Sequence, residues 1–241
     1  MIIIKKIEKI FWLFLFYIFG QTKTFRKIGI LTEICFWNLY IKSHREEIGG
    51  TQRRKELFPL LLLPYVEDIR KRKKYVHVLD VGSGPFSYLA WGTQEQLFTL
   101  VAVDPLAEEY KALLDKYKIS YPIKPIKATA EDLLHFFSKD SFDIVYSRNA
   151  LDHAQDVRKS IESIYLVLKQ DGIFFLEGFV KEGTHTGWSG LHQHDLVPIN
   201  GELFRYDKKG CSINVTSAFK CIYQEQTGLY PGDWYKIIFK K

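Results

Sequence analysis

The residues best suited to chemistry in this chain follow an apolar run, where a buried strand would end. That run, residues 76–81, ends on Asp80 and Val81 and is followed by Gly82, Ser83, Gly84 and Pro85. Gly82 and Gly84 allow the backbone to turn sharply and to approach a ligand closely. This strand-turn pattern is typical of a site for a nucleotide-like cofactor.

A second candidate group follows the next apolar run, residues 98–103. Asp104 ends that run 22 residues after Gly82, and Pro105 comes next. This is the position and the residue type of a carboxylate that accepts both hydroxyls of a ribose. Two cofactors fit an acid at this place: a nicotinamide dinucleotide and S-adenosylmethionine.

The glycine turn distinguishes these two cofactors. The dinucleotide fingerprint requires a third glycine where Ser87 stands, and Pro85 removes one of the backbone amides that a pyrophosphate would need. Asp80 suits S-adenosylmethionine, because a carboxylate there can orient the loop around a cationic amino acid. The turn therefore favours S-adenosylmethionine.

Two further groups complete the predicted site. Ala130 and Glu131 open the segment after the third apolar run, where an adenine edge would lie, and Arg148 and Asn149 follow the fourth run, near the reacting end of the ligand. If the acceptor is a hydroxyl, a histidine could act as its base.

We rank His153 and His192 first as catalytic candidates. A structural role for His153, bonded to backbone at a helix start, is an equal alternative, and Asp152 could orient it or bind the cofactor's amino group. The run His192-Gln193-His194-Asp195 could also be read as metal ligands. Because it lacks a third well-spaced ligand, we predict no metal site.

Alternating apolar runs and helical segments position these groups. This succession predicts a doubly wound parallel sheet with right-handed crossovers, and ligands of such sheets bind at the carboxyl ends of the strands. The predicted strands are 76–81, 98–103, 122–128, 142–146 and 173–176, and the predicted helices are 107–116, 131–137 and 156–169. Residues 180–210 show little periodicity and are expected to form a long loop at the acceptor pocket.

Residues 78–85 resemble motif I of the class I S-adenosylmethionine-dependent methyltransferases, in particular the type 11-like group. Asp104, residues 130–132, 142–145 with 151–153, and the turn at 168–172 resemble the later motifs in the same order. The resemblance implies an α/β, Rossmann-like doubly wound sheet of parallel strands with an antiparallel C-terminal strand. Residues 211–225 and 234–239 are rich in β-formers and could supply the final hairpin.

A narrower resemblance concerns the acceptor. Residues 148–153 and 190–193 look like those of a bacterial subgroup associated with sugar and cell-envelope biosynthesis. The resemblance thus implies methyl transfer from S-adenosylmethionine to a small-molecule acceptor, such as a sugar or cell-envelope precursor. Two alternatives stay open: a nucleotide-cofactor (NAD-type) oxidoreductase, and a methyltransferase-fold protein that only binds.

The sequence divides into a helical extension, residues 1–75, and a methyltransferase domain, residues 76–241. The extension holds 16 Lys and Arg against 7 Asp and Glu, whereas the rest holds 18 against 21. Because the basic excess lies outside the domain, we expect no nucleic-acid partner. The cysteines, Cys35, Cys211 and Cys221, show no paired spacing, which suits a reducing cytoplasm.

The apolar run 10–19 has ten residues, whereas a membrane-spanning helix needs about 20. Three interpretations of residues 1–20 stay open: a helix packed on the domain, a lid over the site, or an anchor that lies on the inner membrane face. We therefore expect a cytoplasmic protein, with peripheral membrane contact under the third interpretation.

Overall fold

The computed structural model describes the backbone of residues 2–20, 22–48 and 50–241, and the side chains of these from Phe11 onwards. The helices are α1 Ile2–Phe19, α2 Lys23–Ile48, α3 Thr51–Leu57, α4 Leu63–Arg72, α5 Ala90–Gln94, α6 Ala107–Lys116, α7 Val157–Val167 and α8 Glu182–His185. The strands are β1 His77–Val81, β2 Thr99–Asp104, β3 Ile126–Lys127, β4 Phe142–Arg148, β5 Leu168–Phe179, β6 Asp195–Ile199, β7 Glu202–Tyr206, β8 Ser212–Asn214, β9 Lys220–Gln226 and β10 Trp234–Lys240.

Seven strands form one sheet in the order β3-β2-β1-β4-β5-β10-β9. β1 lies near the middle and pairs in parallel with β2 on one side and β4 on the other. β10 runs antiparallel to both β5 and β9. The predicted fold class is confirmed: a Rossmann-like doubly wound sheet with an antiparallel C-terminal strand, preceded by helices. The strand order reverses between β1 and β4, which is where such sheets bind ligands.

Helices cover both faces of the sheet, and this explains why the parallel strands are apolar without alternation. In β1 every residue from Val78 to Val81 is buried. On one face the strands pack against α7, whose buried stripe includes Ile161 and Ile164. α7 begins at Asp156, whose carboxylate accepts the Lys159 N–H at 3.0 Å and caps the helix. The other face packs against α4 and α5.

The N-terminal helices differ in detail from what the sequence predicts. Residues 31–47 and 51–70 are each expected to form a helix, with Gly49 and Gly50 ending the first and Thr51 as N-cap of the second. Helix α2 instead begins at Lys23, eight residues before the predicted start, and includes a kink at His44. The segment after it is split into α3 and α4, with Pro64 in the first turn of α4, where a missing N–H costs nothing. Gly50 rather than Thr51 is the N-cap of α3; Gly49, also expected to break the preceding helix, lies outside the described residues. None of the helices described is long and apolar enough to cross a membrane.

Residues 180–210, expected to be one long loop, are instead interrupted by regular secondary structure. They contain α8, β6 and β7, and β7 pairs with β8 to complete a separate three-stranded antiparallel sheet. The expected loop was wrong because β6 shows no polar–apolar alternation: four of its five residues are buried. The predicted region 211–225 is divided, since β8 belongs to this small sheet and only β9 joins the hairpin with β10.

Asp143, at the start of β4, joins three other segments of the chain through hydrogen bonds. Its buried carboxylate accepts Lys73 Nζ at 2.7 Å, Lys169 Nζ at 3.0 Å and the His77 N–H at 2.9 Å. Burial by itself would raise the pKa of Asp143, but these three donors outweigh it and lower the pKa. The carboxylate therefore stabilises the folded state above its ordinary pKa, and that contribution is lost as the pH falls towards the lowered value.

We expect Asp143→Asn to reduce the free energy of unfolding at pH 7 by about 1–2 kcal/mol, because charge-assisted hydrogen bonds are lost. The difference between variant and wild type should shrink below about pH 3.9. Urea unfolding at pH 7 and pH 3 measures both. Asp115→Asn, which removes an exposed carboxylate on α6, is the control and should change stability little. An equal free energy for wild type and Asp143→Asn at pH 7 would contradict this role.

Candidate functional site

A cleft of about 530 Å³ opens at the carboxyl ends of β1, β2 and β4. This volume lies within the range of small-molecule and cofactor sites. Its lining includes all of the predicted site residues except Pro85, which are Asp80, Gly82, Ser83, Gly84, Asp104, Pro105, Ala130, Glu131, Arg148, Asn149, His153 and His192. The topology therefore brings together groups that are up to 112 residues apart in the sequence.

The glycine turn after β1 is fixed by its own backbone amides. The Gly82 and Ser83 N–H groups donate to the Val103 carbonyl at 2.8 and 3.2 Å, and the Gly84 N–H donates to Asp104 Oδ2 at 2.9 Å. Gly82 has a φ of +72°, and a Cβ there would lie 2.3 Å from Ala150 Cβ. Only glycine meets both the conformation and the close approach.

Asp104 orients the turn from the end of β2. Its Oδ1 accepts the Leu106 N–H at 2.8 Å, so each oxygen holds one backbone amide. Burial raises the pKa of Asp104 to about 6, against the two amides that lower it. Asp80, at the end of β1, accepts the Ser87 hydroxyl at 2.5 Å. Burial raises the pKa of Asp80 to about 7.

Arg148 lies at the end of β4 between two aromatic rings. Its guanidinium is centred 4.6 Å from the Tyr88 ring and 4.5 Å from the Trp234 ring, and Nη1 donates to Glu177 Oε1 at 2.6 Å. Glu177, buried in β5, also accepts the Tyr146 hydroxyl and, at 3.3 Å, Trp234 Nε1. Arg148 is thus held in place while it lines the cleft.

Asp152, His153 and His192 meet beyond the end of β4. His192 Nδ1 lies 2.6 Å from Asp152 Oδ2 and 3.0 Å from His153 Nε2. Glu182, the first residue of α8, places Oε1 4.0 Å from His192 Nδ1. Its Oε2 is buried without a hydrogen-bond partner among the described residues. Four polar side chains from three segments therefore converge beside the cleft.

Their electrostatic environments differ. Burial lowers the pKa of His153. Burial also acts to lower the pKa of His192. The hydrogen bond to Asp152 and the negative charge of Asp152 outweigh it, so the pKa of His192 is raised overall. Burial raises the pKa of Glu182. At neutral pH the pair therefore consists of one neutral imidazole and one that is more readily protonated beside a carboxylate.

Helix α2 covers the cleft from the N-terminal side. Ile30, Glu33, Phe36 and Trp37 line it, and Trp37 lies against Gly84, where a Cβ would be 3.4 Å from the indole. Arg26 Nη1 donates to the His153 carbonyl at 3.1 Å. The extension therefore contributes part of the cleft wall.

Sequence reasoning missed several lining residues. Glu182, Tyr88 and Trp234 carry no recognisable motif, because each enters the cleft only through the way distant segments pack. Glu177 could have been noticed in the sequence, because it is the one acidic residue in the otherwise apolar stretch 174–179. Acids buried in strands need partners, which makes them candidates for functional networks.

The side chains of residues 192–195 do not converge on one site. His194 Nε2 contacts the Ala154 carbonyl at 3.1 Å, and Asp195 accepts the Thr184 N–H and hydroxyl at 2.8 and 2.5 Å. Only His192 of this run reaches the cleft. Among the residues described, the group with metal-ligand geometry is Asp152, His153 and His192, whose ligand atoms all lie within 4.8 Å of one another.

The Gly82 contact yields a test of the turn. We expect Gly82→Ala to destabilise the protein by about 1–3 kcal/mol, because it combines a positive φ with a steric clash. Adding Ala150→Gly to Gly82→Ala removes the clash but not the strain, so it should restore part of the melting temperature. Thermal unfolding of both variants and of Ala150→Gly alone measures this. No recovery in the double variant would show that the contact with Ala150 is not limiting.

Comparisons with known proteins agree with this geometry. Residues 79–176 match the family described as a methyltransferase domain. The chain is also 36% identical over 101 residues to the uncharacterized methyltransferase YcgJ of Bacillus subtilis (strain 168). That stretch covers 41% of this chain, and it spans only 39% of the length of the curated relative.

Solved structures with similarity to this chain include methyltransferases. The trans-methyltransferase CalH, solved with S-adenosylhomocysteine, matches 73% of this chain and 54% of its own at 13% identity and a TM-score of 0.50. The 1,6-didemethyltoxoflavin-N1-methyltransferase of Burkholderia thailandensis matches 74% of this chain and 76% of its own at 15% identity and a TM-score of 0.43. Residues 79–176 therefore match a methyltransferase domain, and the Rossmann-like fold of the chain is similar to that of the trans-methyltransferase CalH.

Proposed function

We propose that this protein transfers a methyl group from S-adenosylmethionine to a small-molecule acceptor in the cleft at the carboxyl ends of β1, β2 and β4. The observation that carries the proposal is the use of the backbone amides in the glycine turn. The N–H groups of Gly82, Ser83 and Gly84 all donate to protein oxygens, and Pro85 has none. These amides are therefore not available to bind a pyrophosphate. This counts against a dinucleotide-dependent oxidoreductase.

The charge of the cleft supports the same cofactor. Two arginines line it, against five carboxyl side chains, which are Glu33, Asp80, Asp104, Glu131 and Glu182. Arg148 is in addition paired with Glu177. A cleft of this kind attracts a cationic ligand and repels a pyrophosphate. S-adenosylmethionine carries a sulfonium and an ammonium group, and when bound it supplies an electrophilic methyl group.

The chain's own residues hold the two ligands in line. With S-adenosylmethionine in the cleft, Asp104 would accept the ribose hydroxyls, and Asp80 would keep the glycine turn around the amino-acid end. Ala130 and Glu131 would meet the adenine end, and Arg148 and Asn149 the reacting end. Positioning of this kind accounts for about 7–11 kcal/mol of the barrier in well-oriented reactions. An acceptor hydroxyl must also lose its proton, and His153 and His192 are the candidates for promoting that loss.

The acceptor class we propose is a sugar or another cell-envelope precursor. The residues that suggested it, 148–153 and 190–193, contribute Arg148, His153, Leu191 and His192 to the same cleft. Tyr88, Phe179 and Trp234 add aromatic surface there, which suits stacking on a sugar ring. In this proposal residues 1–75 form a helical extension that acts as a lid or a membrane-surface anchor, and residues 76–241 form the methyltransferase domain.

Calorimetry tests the cofactor. We expect Asp104→Ala to weaken binding of S-adenosylmethionine by about 100-fold or more, because two charge-assisted hydrogen bonds are worth about 1.5–3 kcal/mol each. Asp115→Asn, a surface carboxylate on the following helix, should bind like wild type. Circular dichroism checks that Asp104→Ala is folded. Unchanged affinity in Asp104→Ala, or tighter binding of NADH than of S-adenosylhomocysteine by the wild type, would refute the proposal.

We also propose that the extension contacts the inner membrane face. α1 packs inward through Leu13 and Phe16, with Leu13 Cδ2 3.3 Å from the position of a Cβ on Gly187. Its other side exposes Phe11, Phe14 and Ile18, at helical spacing. Exposed Lys23 and Lys27 follow on α2. An apolar stripe flanked by lysines is the pattern of a helix that lies in an anionic membrane surface.

Co-sedimentation with phosphatidylglycerol vesicles tests this contact. The full-length protein should bind, and the triple variant Phe11→Ser, Phe14→Ser, Ile18→Ser should bind at least about 10-fold more weakly. Leu229→Ser with Tyr230→Ser removes two large apolar side chains that are exposed elsewhere, and should bind like wild type. If the wild type stays in the supernatant, or if all three proteins bind alike, α1 is not an anchor.

A further inference from the structure

We propose that Asp152, His153 and His192 form a binding site for a divalent first-row transition-metal cation, open to the cleft. The sequence run 192–195 lacked a third well-spaced ligand. The fold supplies two ligands from elsewhere, because the turn after β4 places Asp152 and His153 against His192, which is about 40 residues further along the chain.

The ligand atoms have the spacing of a metal centre. Asp152 Oδ2 lies 2.6 Å from His192 Nδ1, His192 Nδ1 lies 3.0 Å from His153 Nε2, and His153 Nε2 lies 3.7 Å from Asp152 Oδ2. Bonds of about 2.0–2.2 Å at angles of about 90–110° place neighbouring ligand atoms roughly 2.8–3.6 Å apart. Shifts of a few tenths of an ångström would bring all three to one ion.

Hydrogen bonds alone do not satisfy this arrangement well. His192 Nδ1 can carry one hydrogen, and both Asp152 Oδ2 and His153 Nε2 lie within bonding distance of it. If that hydrogen is donated to Asp152, it is not available to His153 Nε2; if it is absent, two acceptors face each other at 2.6 Å. A cation between the three atoms would accept a lone pair from each.

Glu182 is an independent observation that points to a cation. Glu182 as a residue is 7% exposed, its Oε2 has no hydrogen-bond partner among the described residues, and its Oε1 lies 4.0 Å from His192 Nδ1. Asp152 is 3% exposed. Two buried carboxylates beside two imidazoles are costly without a compensating positive charge. A divalent ion would neutralise both.

The donor set indicates the kind of metal. Two imidazoles and one carboxylate suit Mn²⁺, Fe²⁺, Co²⁺ or Zn²⁺, whereas Mg²⁺ and Ca²⁺ prefer oxygen ligands. His153, His192 and Glu182 line the cleft, so the remaining coordination positions face it. Three protein ligands with open positions are the pattern of a catalytic rather than a structural site.

The role of the cation rests on the proposed methyl transfer, whereas its binding does not. An acceptor hydroxyl bound to the ion would have a lowered pKa. Loss of its proton to the carboxylate of Glu182 would leave the electron pair of the O–H bond on the acceptor oxygen, which would then attack the methyl group. Asp152, His153 and His192 would hold the ion that lowers this pKa. A sugar-like acceptor could present two neighbouring hydroxyls to the open positions.

The experiment is a titration of the metal-free, full-length protein with Co²⁺, followed by visible absorption. We expect one equivalent to bind, with affinity lowered at least about 100-fold in His192→Ala and in Asp152→Asn. His135→Ala removes an exposed histidine outside the cluster and should bind Co²⁺ like wild type. Thermal unfolding checks each variant, and His153→Ala replaces Asp152→Asn if the latter does not fold.

Equal Co²⁺ affinity in wild type and His192→Ala would overturn the inference. So would a loss of Co²⁺ affinity in His135→Ala as large as that in His192→Ala. Calorimetry with S-adenosylhomocysteine on the same metal-free protein separates the two proposals. If S-adenosylhomocysteine binds but Co²⁺ does not bind at the cluster, the metal site is refuted and the cofactor proposal stands. If Co²⁺ binds at the cluster but S-adenosylhomocysteine does not bind, the metal site stands and the proposed methyl transfer fails.

Discussion

The close approach of Gly82 to Ala150 sets the geometry on which the site depends. The chain leaves β1 through Gly82 and leaves β4 through Asn149, and both residues adopt a positive φ. β1 and β4 are adjacent parallel strands at the point where the strand order reverses. Because Gly82 has no Cβ, the two turns can approach each other closely. One cleft is therefore lined both by the carboxylates at the ends of β1 and β2 and by the histidines after β4.

Burial of negative charge is the second constraint. Asp104 and Asp80 lie in the cleft wall with raised pKa values, and the fold compensates Asp104 with two backbone amides and Asp80 with one hydroxyl. These donors fix the glycine turn, so the amides that would bind phosphate in a dinucleotide site serve the protein itself. The carboxyl groups that line the cleft outnumber its arginines, which underlies the proposal that it binds a cationic cofactor.

Closure of the cleft depends on segments that lie outside the methyltransferase domain match. α2 packs closely against the loop that carries His192: a Cβ on Gly29 would lie 2.9 Å from Gly190. Arg26 of the same helix binds the His153 carbonyl. The extension and the segment after β5 therefore hold the histidine cluster in place, and their packing, rather than the sheet, forms this side of the cleft.

The sequence by itself determined the sheet, the succession of strands and helices, and a set of residues at the strand ends of which all but Pro85 line one cleft. Those features follow from local patterns: apolar runs, glycine turns, and the rule that ligands bind where parallel strands end. Only the tertiary structure decided that Asp152, His153 and His192 meet, that Glu182 joins them, and that residues 180–210 contain regular secondary structure. These contacts join segments distant along the chain, and their geometry depends on how loops and the N-terminal helices pack, which no local periodicity records.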